Sequence, residues 1–232
     1  MQASRVPEDS TRYLLGITSA TRLIHEPAKN ALQLRKKAMI VIENLSKKEL
    51  LLQQSSLHAI SIVDRFLKEM CARGALENVN PTVTACAAVW LATKYNEDAM
   101  KLDILERYAG PAVCGKEIEG AEFQILTSLR HNIAEPALSF IINNVTKEVK
   151  MGAWVAKGAE KLAMEVCIGE GEREIGSTFL AAWSILKVLY EAAPSMAKDR
   201  KMKDMQEVLG ALEISVEHFM EFIKNFNLEL FW

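Results

Sequence analysis

Apolar residues recur along the chain at intervals of three and four, and alternation over strand lengths is nearly absent, a pattern that predicts an all-α fold. Asp9 and Ser10, good N-cap types, open a first helix carrying Leu14, Ile17 and Leu23, which Pro27 is expected to stop. Helices follow over about 31–45 and about 50–70, the second with Leu57, Ile60, Val63 and Leu67 on one stripe and its end before Gly74. Pro81 fixes the start of the segment PTVTACAAVWLATKY, whose small residues suit close packing at the centre of a bundle. A shorter helix near 100–108 leads to the breakers Gly110, Pro111 and Gly115. Next comes a helix from Lys116 to Arg130 with Ile118, Ala121, Ile125 and Leu129 as its stripe.

Pro136, in the turn HNIAEP, marks a boundary, and beyond it the rhythm repeats in helices near 137–150, 153–168, 175–192, 199–210 and 214–228. Five helices, a boundary and five more suggest duplication. A shift of about 95 residues superposes Ala87, Leu91 and Tyr95 on Ala182, Leu186 and Tyr190, and Glu122 on Glu217. The expected organisation is an N-terminal helical segment over 1–32, a first five-helix repeat over 33–136 and a second over 137–232.

Three charges interrupt the apolar stripes. Lys94 continues the row Val83, Ala87, Trp90 and Leu91; Glu122 lies between Ile118 and Ile125; Asp64 is in register with Leu57, Ile60 and Leu67. Such residues either lay their stems on apolar surface and reach water, helped for Lys94 by the helix dipole, or are held by a specific partner. The second case follows wherever the charge is buried, because removing the partner of a buried charge costs about 3 to 5 kcal/mol. Asp64 and Arg35 are candidates for pairing within the chain, and Lys94 and Glu122 for facing another protein.

Composition narrows the function classes. Half of the 232 residues are apolar and the formal net charge is −2, enough apolar material for a packed core and no sign of disorder. Twenty-eight basic residues against thirty acidic ones leave no basic excess for a phosphate backbone, and the clusters Arg35–Lys37 and Lys198–Lys203 are short. Cys71, Cys86, Cys114 and Cys167 share no metal-knuckle spacing and are expected to be reduced thiols. His25, His58, His131 and His218 are scattered, with no carboxylate pattern beside them, and GEGERE at 169–174 lacks a third glycine and a preceding strand. No catalytic residue, cofactor or metal is expected. The first residues lack an apolar signal region and no stretch approaches the ~18 uncharged residues of a membrane span, so a soluble protein is expected.

The segments that carry the anomalous charges resemble the cyclin box of cell-cycle cyclins. LRKKAMIVIENL is similar to the Met-Arg-x-x-Leu region that opens the box, and IVDRFL to the signature Asp-Arg-Phe-Leu. AVWLATKYNE resembles Ala-x-x-Leu-Ala-x-Lys-Tyr-x-Glu, and GAEFQILTSLRHNIAEP the family's Met-Glu-x-x-x-Leu-x-x-Leu-x-Phe-x-Leu-x-x-Pro. The resemblance implies a buried salt bridge between Arg35 and Asp64. It also implies that Lys94 and Glu122 form the polar centre of a kinase-binding surface and hydrogen-bond main-chain groups near the kinase C helix. Leu91, Tyr95, Leu126, His131 and Ile133 would pack around them.

The function so implied is that of a non-catalytic subunit that forms a heterodimer with a cyclin-dependent protein kinase and activates it in cell-cycle control, in the nucleus and cytoplasm. Nucleic acid, membrane and small-molecule substrates have no part in it. A transcription-type cyclin, a scaffold of the same fold and a general transcription factor are the alternatives. Two features depart from the family pattern. His131 stands where phenylalanine is common, and Lys37, Ala38 and Val41 occupy the places of the patch that docks Arg-x-Leu substrate motifs, so ordinary docking of that kind is not expected.

Overall fold

The computed structural model describes residues 26–133, 138–168, 177–225 and 228, so the helix expected over 10–26, the HNIAEP boundary at Pro136 and the GEGERE turn lie outside the described residues. Ten α-helices are present among them and no strand: α1 (Glu26–Lys48), α2 (Gln53–Ala72), α3 (Pro81–Asn96), α4 (Leu102–Ala109), α5 (Gly115–Ser128), α6 (Leu138–Glu148), α7 (Ala153–Ile168), α8 (Ser177–Ala192), α9 (Lys198–Ala211) and α10 (Val216–Asn225). None of the described helices is long and apolar enough to cross a membrane. The largest shift from the sequence pattern is in α1. Pro27 sits in its first turn instead of ending a preceding element, a position where the missing N–H would have had no helical partner anyway.

The helix α3 explains the arrangement of the first half. Asn80 caps it, its Oδ1 accepting from the N–H groups of Thr82 at 3.1 Å and Val83 at 3.3 Å, with Pro81 at the first helical position. From Val83 to Val89 every side chain is buried, and so are Leu91, Ala92 and Thr93. A helix with no polar face must be enclosed, and α1, α2, α4 and α5 pack around it. Ala85, Ala87, Ala88 and Ala92 let those neighbours approach closely, and Ile42, Leu45, Ile62, Val63, Phe66, Ile118 and Ile125 fill the space between. The same arrangement recurs in the second half, where α6, α7, α9 and α10 pack around α8, buried from Phe179 to Leu186. Gly115 starts α5 hard against α4: a Cβ there would lie 2.5 Å from Leu102 Cδ2, and its N–H is bonded by Glu106 Oε1.

The halves also share local devices. Ile42 and Ile142 are both fully buried, and four residues on Ser46 and Thr146 each return a hydroxyl hydrogen bond of 2.8 Å to that isoleucine's carbonyl. Just past each of these helices one residue, Leu50 or Lys150, takes a left-handed conformation at φ 53° and 56°. At the shift seen in the sequence, Leu91 and Leu186 are both buried, whereas Tyr95 is exposed and Tyr190 is buried, its hydroxyl donating to Lys201 O at 2.6 Å.

The two cores meet through α2 and α7. Leu57 of α2 belongs to the core of the second half, while Met164, Cys167 and Ile168 at the end of α7 pack on the first. Arg35 fastens this junction. Its Nε donates to Asp64 Oδ1 at 2.7 Å and its Nη2 to Asp64 Oδ2 at 3.1 Å, and Nη2 also donates to Cys167 O at 3.0 Å, in the last turn of α7. The planar fork answers a carboxylate and a helix C-terminal carbonyl together, which a lysine has no geometry to do.

Arg35→Lys and Arg35→Met are therefore both expected to lose stability, by about 2 kcal/mol, between the values for exposed and buried pairs because Asp64 is half exposed. Urea unfolding checks this, and a Lys variant as stable as the wild type would refute the fork. Ile42→Ala and Ile142→Ala, truncating the matched fully buried positions, are each expected to cost about 3 kcal/mol in the same measurement.

Candidate functional site

The last turn of α3 is where the enclosed helix leaves the core. Leu91 is still buried, Lys94 and Tyr95 are exposed, and α5 runs alongside with Glu122 facing them. Lys94 Nζ donates to Glu122 Oε1 at 2.7 Å. The same ammonium stands 3.3 Å from the centroid of the Trp90 ring, one turn back on α3. The two charges expected to face another protein thus face each other. Their side chains are 36% and 16% exposed, so the carboxylate lies lower and the ammonium reaches outward over the indole. An ammonium has three donors and a carboxylate two acceptor oxygens, so the pair retains capacity for outside groups.

The apolar positions fall out unevenly. Tyr95 is 57% exposed, Leu126 and Ile133 are partly buried against the first core, and His131 is exposed. Leu91, expected among the contact residues, is only 4% exposed and belongs to the core beneath. Phe123, next to Glu122 and 69% exposed, was not singled out in the sequence. The signal was there: an aromatic residue off the stripe Ile118, Ala121, Ile125, Leu129. The sequence pattern places Trp90 on the core stripe, and its role as a platform for Lys94 is legible only from the four-residue spacing of the two.

After α5 the chain turns back through Arg130 and His131, both left-handed at φ 52° and 58°. Each such residue costs roughly 1 to 2 kcal/mol without a glycine to relieve it. The turn is bonded internally, His131 N to Leu126 O at 2.7 Å and Asn132 N to Leu129 O at 2.9 Å. It is also bonded from α2. His58 Nε2 meets Ile133 O at 2.8 Å and Arg65 Nη2 donates to Asn132 O. His58 Nδ1 takes a hydrogen bond of 3.0 Å from Asn96 Nδ2, and its ring stands edge-on to Tyr95 at 5.2 Å. Burial holds the His58 pKa below its ordinary 6.5, and the neighbouring Arg65 guanidinium pushes the same way, against the pull of the Ile133 carbonyl.

Cys86 is buried in the first core and burial raises its thiol to about 12, as it does for Cys167 at the end of α7, which leaves both as unreactive thiols. What remains is a partly exposed ion pair on an aromatic platform, rimmed by Tyr95, Phe123, Leu126, His131 and Ile133.

No curated protein matches the chain by sequence. Among solved structures, the viral cyclin of herpesvirus saimiri shares the fold at 13% identity and a TM-score of 0.64, with 83% of this chain and 82% of that one covered. A chain of the CAK complex of Chaetomium thermophilum bound to ATP-gamma-S does so at 16% identity and a TM-score of 0.52, covering 93% of this chain and 69% of that one. The model of the cyclin N-terminal domain matches residues 16–134, just over half of the chain and the whole span from which Lys94, Glu122, Arg35 and Asp64 come. The chain therefore belongs to the cyclin family.

Proposed function

We propose that this cyclin binds a cyclin-dependent protein kinase as a heterodimer and activates it in cell-cycle control, acting in the nucleus and cytoplasm. The observation that carries the proposal is the Lys94–Glu122 pair, placed at the point where α3 emerges from its enclosure and surrounded by half-exposed apolar side chains. Charges at such a position raise the cost of leaving water unless a partner offers them hydrogen bonds, so they favour a partner with main-chain groups to match. The contact set on this reading is Lys94, Glu122, Tyr95, Leu126, His131 and Ile133, extended by Phe123, with Leu91 supporting it from the core. The proposed organisation is an N-terminal helical segment over 1–32 and cyclin boxes over 33–136 and 137–232.

The cyclin fold is generally regulatory, and the mechanism needs no catalytic residue on this chain. A protein kinase is active when its strand lysine pairs with a glutamate of its C helix and its activation loop is open. A subunit that binds the helix-in state more tightly shifts the kinase toward it by the difference in affinity. An interface that does so is expected to exceed roughly 2,000 Å², with a few central residues carrying most of the affinity. A chain of the CAK complex shares the fold, so the test extends to kinases outside the cell-cycle set.

In a histone phosphorylation assay with a panel of purified cyclin-dependent kinases, the chain is expected to activate at least one. Lys94→Glu sets two carboxylates against each other and is expected to weaken the complex at least ~100-fold while changing stability by less than about 1 kcal/mol, because Lys94 is exposed. Glu122→Ala is expected to weaken it by about tenfold or more. Kinase activation unaffected by both changes would remove this surface from the mechanism, and no activation across the panel would remove the function.

A further inference from the structure

The rim of the kinase-facing surface is built from two separate pieces of chain, the end of α3 with Tyr95 and the turn after α5 with His131 and Ile133. One side chain that belongs to neither piece bonds both. His58, 3% exposed, lies on α2 with its Nε2 at 2.8 Å from Ile133 O and its Nδ1 at 3.0 Å from Asn96 Nδ2. The amide of Asn96 is oriented independently, since its Nδ2 also donates to Ala92 O at 2.9 Å and its Oδ1 accepts from Gln54 Nε2 at 3.1 Å. Nδ1 of His58 is therefore the acceptor, and Nε2 carries the proton donated to Ile133. Two turns further along the same face of α2, Arg65 bonds the preceding carbonyl, that of Asn132. The turn between Leu129 and Ile133 is left-handed at Arg130 and His131 without a glycine, so it depends on such outside bonds to persist.

We propose that His58, assisted by Arg65, is the positioning residue of the kinase-binding surface, fixing the turn Arg130–Ile133 against the end of α3 so that Tyr95, His131 and Ile133 are presented to the kinase in one arrangement. The proposal rests on the reading of this surface as kinase-binding. The geometry works only with neutral imidazole, because a proton on Nδ1 would point at the Asn96 amide donor. The groups facing the ring are the Arg65 guanidinium from α2, the Tyr95 ring and the neutral Asn96 amide from α3, and the Ile133 carbonyl from the turn. With the folded-state pKa below 6.5, the unfolded or unlatched form takes up more protons as pH falls. The latch is fully present above pH 6.5 and is lost as pH drops through the folded-state value.

The test uses the full chain and two variants. His58→Phe keeps a ring and removes both bonds; His58→Gln keeps a donor near the position of Nε2 and cannot titrate. Hydrogen exchange at the amides of Arg130, His131 and Asn132, bonded to the carbonyls of Thr127, Leu126 and Leu129, reports the turn directly. His58→Phe is expected to lower their protection factors about tenfold at pH 7 with amides of α8 little changed, and His58→Gln to restore most of the loss. On acidification to pH 5 the wild type is expected to lose protection at these amides and His58→Gln to keep it. Kinase affinity, measured beside Lys94→Glu, is expected to fall about tenfold in His58→Phe.

Unchanged protection of the turn in His58→Phe, or an equal loss throughout the chain, would overturn the positioning role. So would local loss of protection with kinase affinity intact while Lys94→Glu weakens the complex. If Lys94→Glu leaves the complex intact as well, the kinase-binding reading of the surface is what fails, and the positioning role falls with it.

Discussion

An α-helix that is apolar all the way round cannot rest on a surface, and the rest of this molecule follows from enclosing two of them. Around α3 the enclosure takes four helices, and around α8 it takes four more, so each half reaches the same solution to the same constraint. Enclosure also decides where function can sit. A helix sealed over most of its length meets solvent only at its ends, and in α3 the N-terminal end is occupied by the Asn80 cap. The C-terminal turn is left, with the ammonium of Lys94 placed where the helix dipole favours a cation. The corresponding tyrosines make the contrast: Tyr95 is exposed at that end, and Tyr190, its counterpart on α8, is turned under and bonded to Lys201 O.

Two enclosures side by side still have to be held in one relative position, and an apolar junction alone defines distance better than register. Arg35 supplies direction. Its bonds to Asp64 orient the guanidinium, and the oriented guanidinium then selects the carbonyl of Cys167 in the last turn of α7. Arg35 stays charged at any physiological pH, whereas the imidazole of His58 can take up a proton as pH falls. Rigidity of the frame and adjustability of the rim therefore come from different chemistry, with α2 contributing to both through Asp64 and His58.

Much of this was legible in the residues. The three- and four-residue spacing located all ten described helices to within a few positions, and each of the three charges that break stripes has a partner, Asp64 in Arg35 and Lys94 and Glu122 in each other. The failures have physical causes. Periodicity assigns a residue to a face without saying which neighbour covers that face, so Leu57 looked like first-half core and packs in the second. A break in a stripe signals a charge in need of a partner without identifying it, and the sequence pattern does not show that Lys94 and Glu122 pair with each other. Pro27 is compatible with ending one helix or with opening the next, and only the context after it decides. His58 left no local mark at all. Its importance comes from Ile133 and Asn96, distant in sequence, and both meet it only once α2, α3 and the turn after α5 are in place.

The pairing of Lys94 with Glu122 bears on how the surface is used. Two isolated charges in a mainly apolar rim would each have to shed water on binding, at a cost that a few new hydrogen bonds do not recover. Paired in advance at 2.7 Å, with the ammonium already resting on the Trp90 ring, they have surrendered part of that hydration during folding, when core burial elsewhere offsets the cost. What a partner must then match is the remaining donors of one group and the remaining acceptor capacity of the other, side by side on two helices whose separation is set by the packing of α3 on α5. A main chain with an adjacent carbonyl and N–H satisfies both groups together, and a side-chain charge of either sign satisfies one while opposing the other. On the proposed kinase-binding reading, the pair would discriminate by geometry and by repulsion at once, a small polar centre giving specificity to a mostly apolar interface.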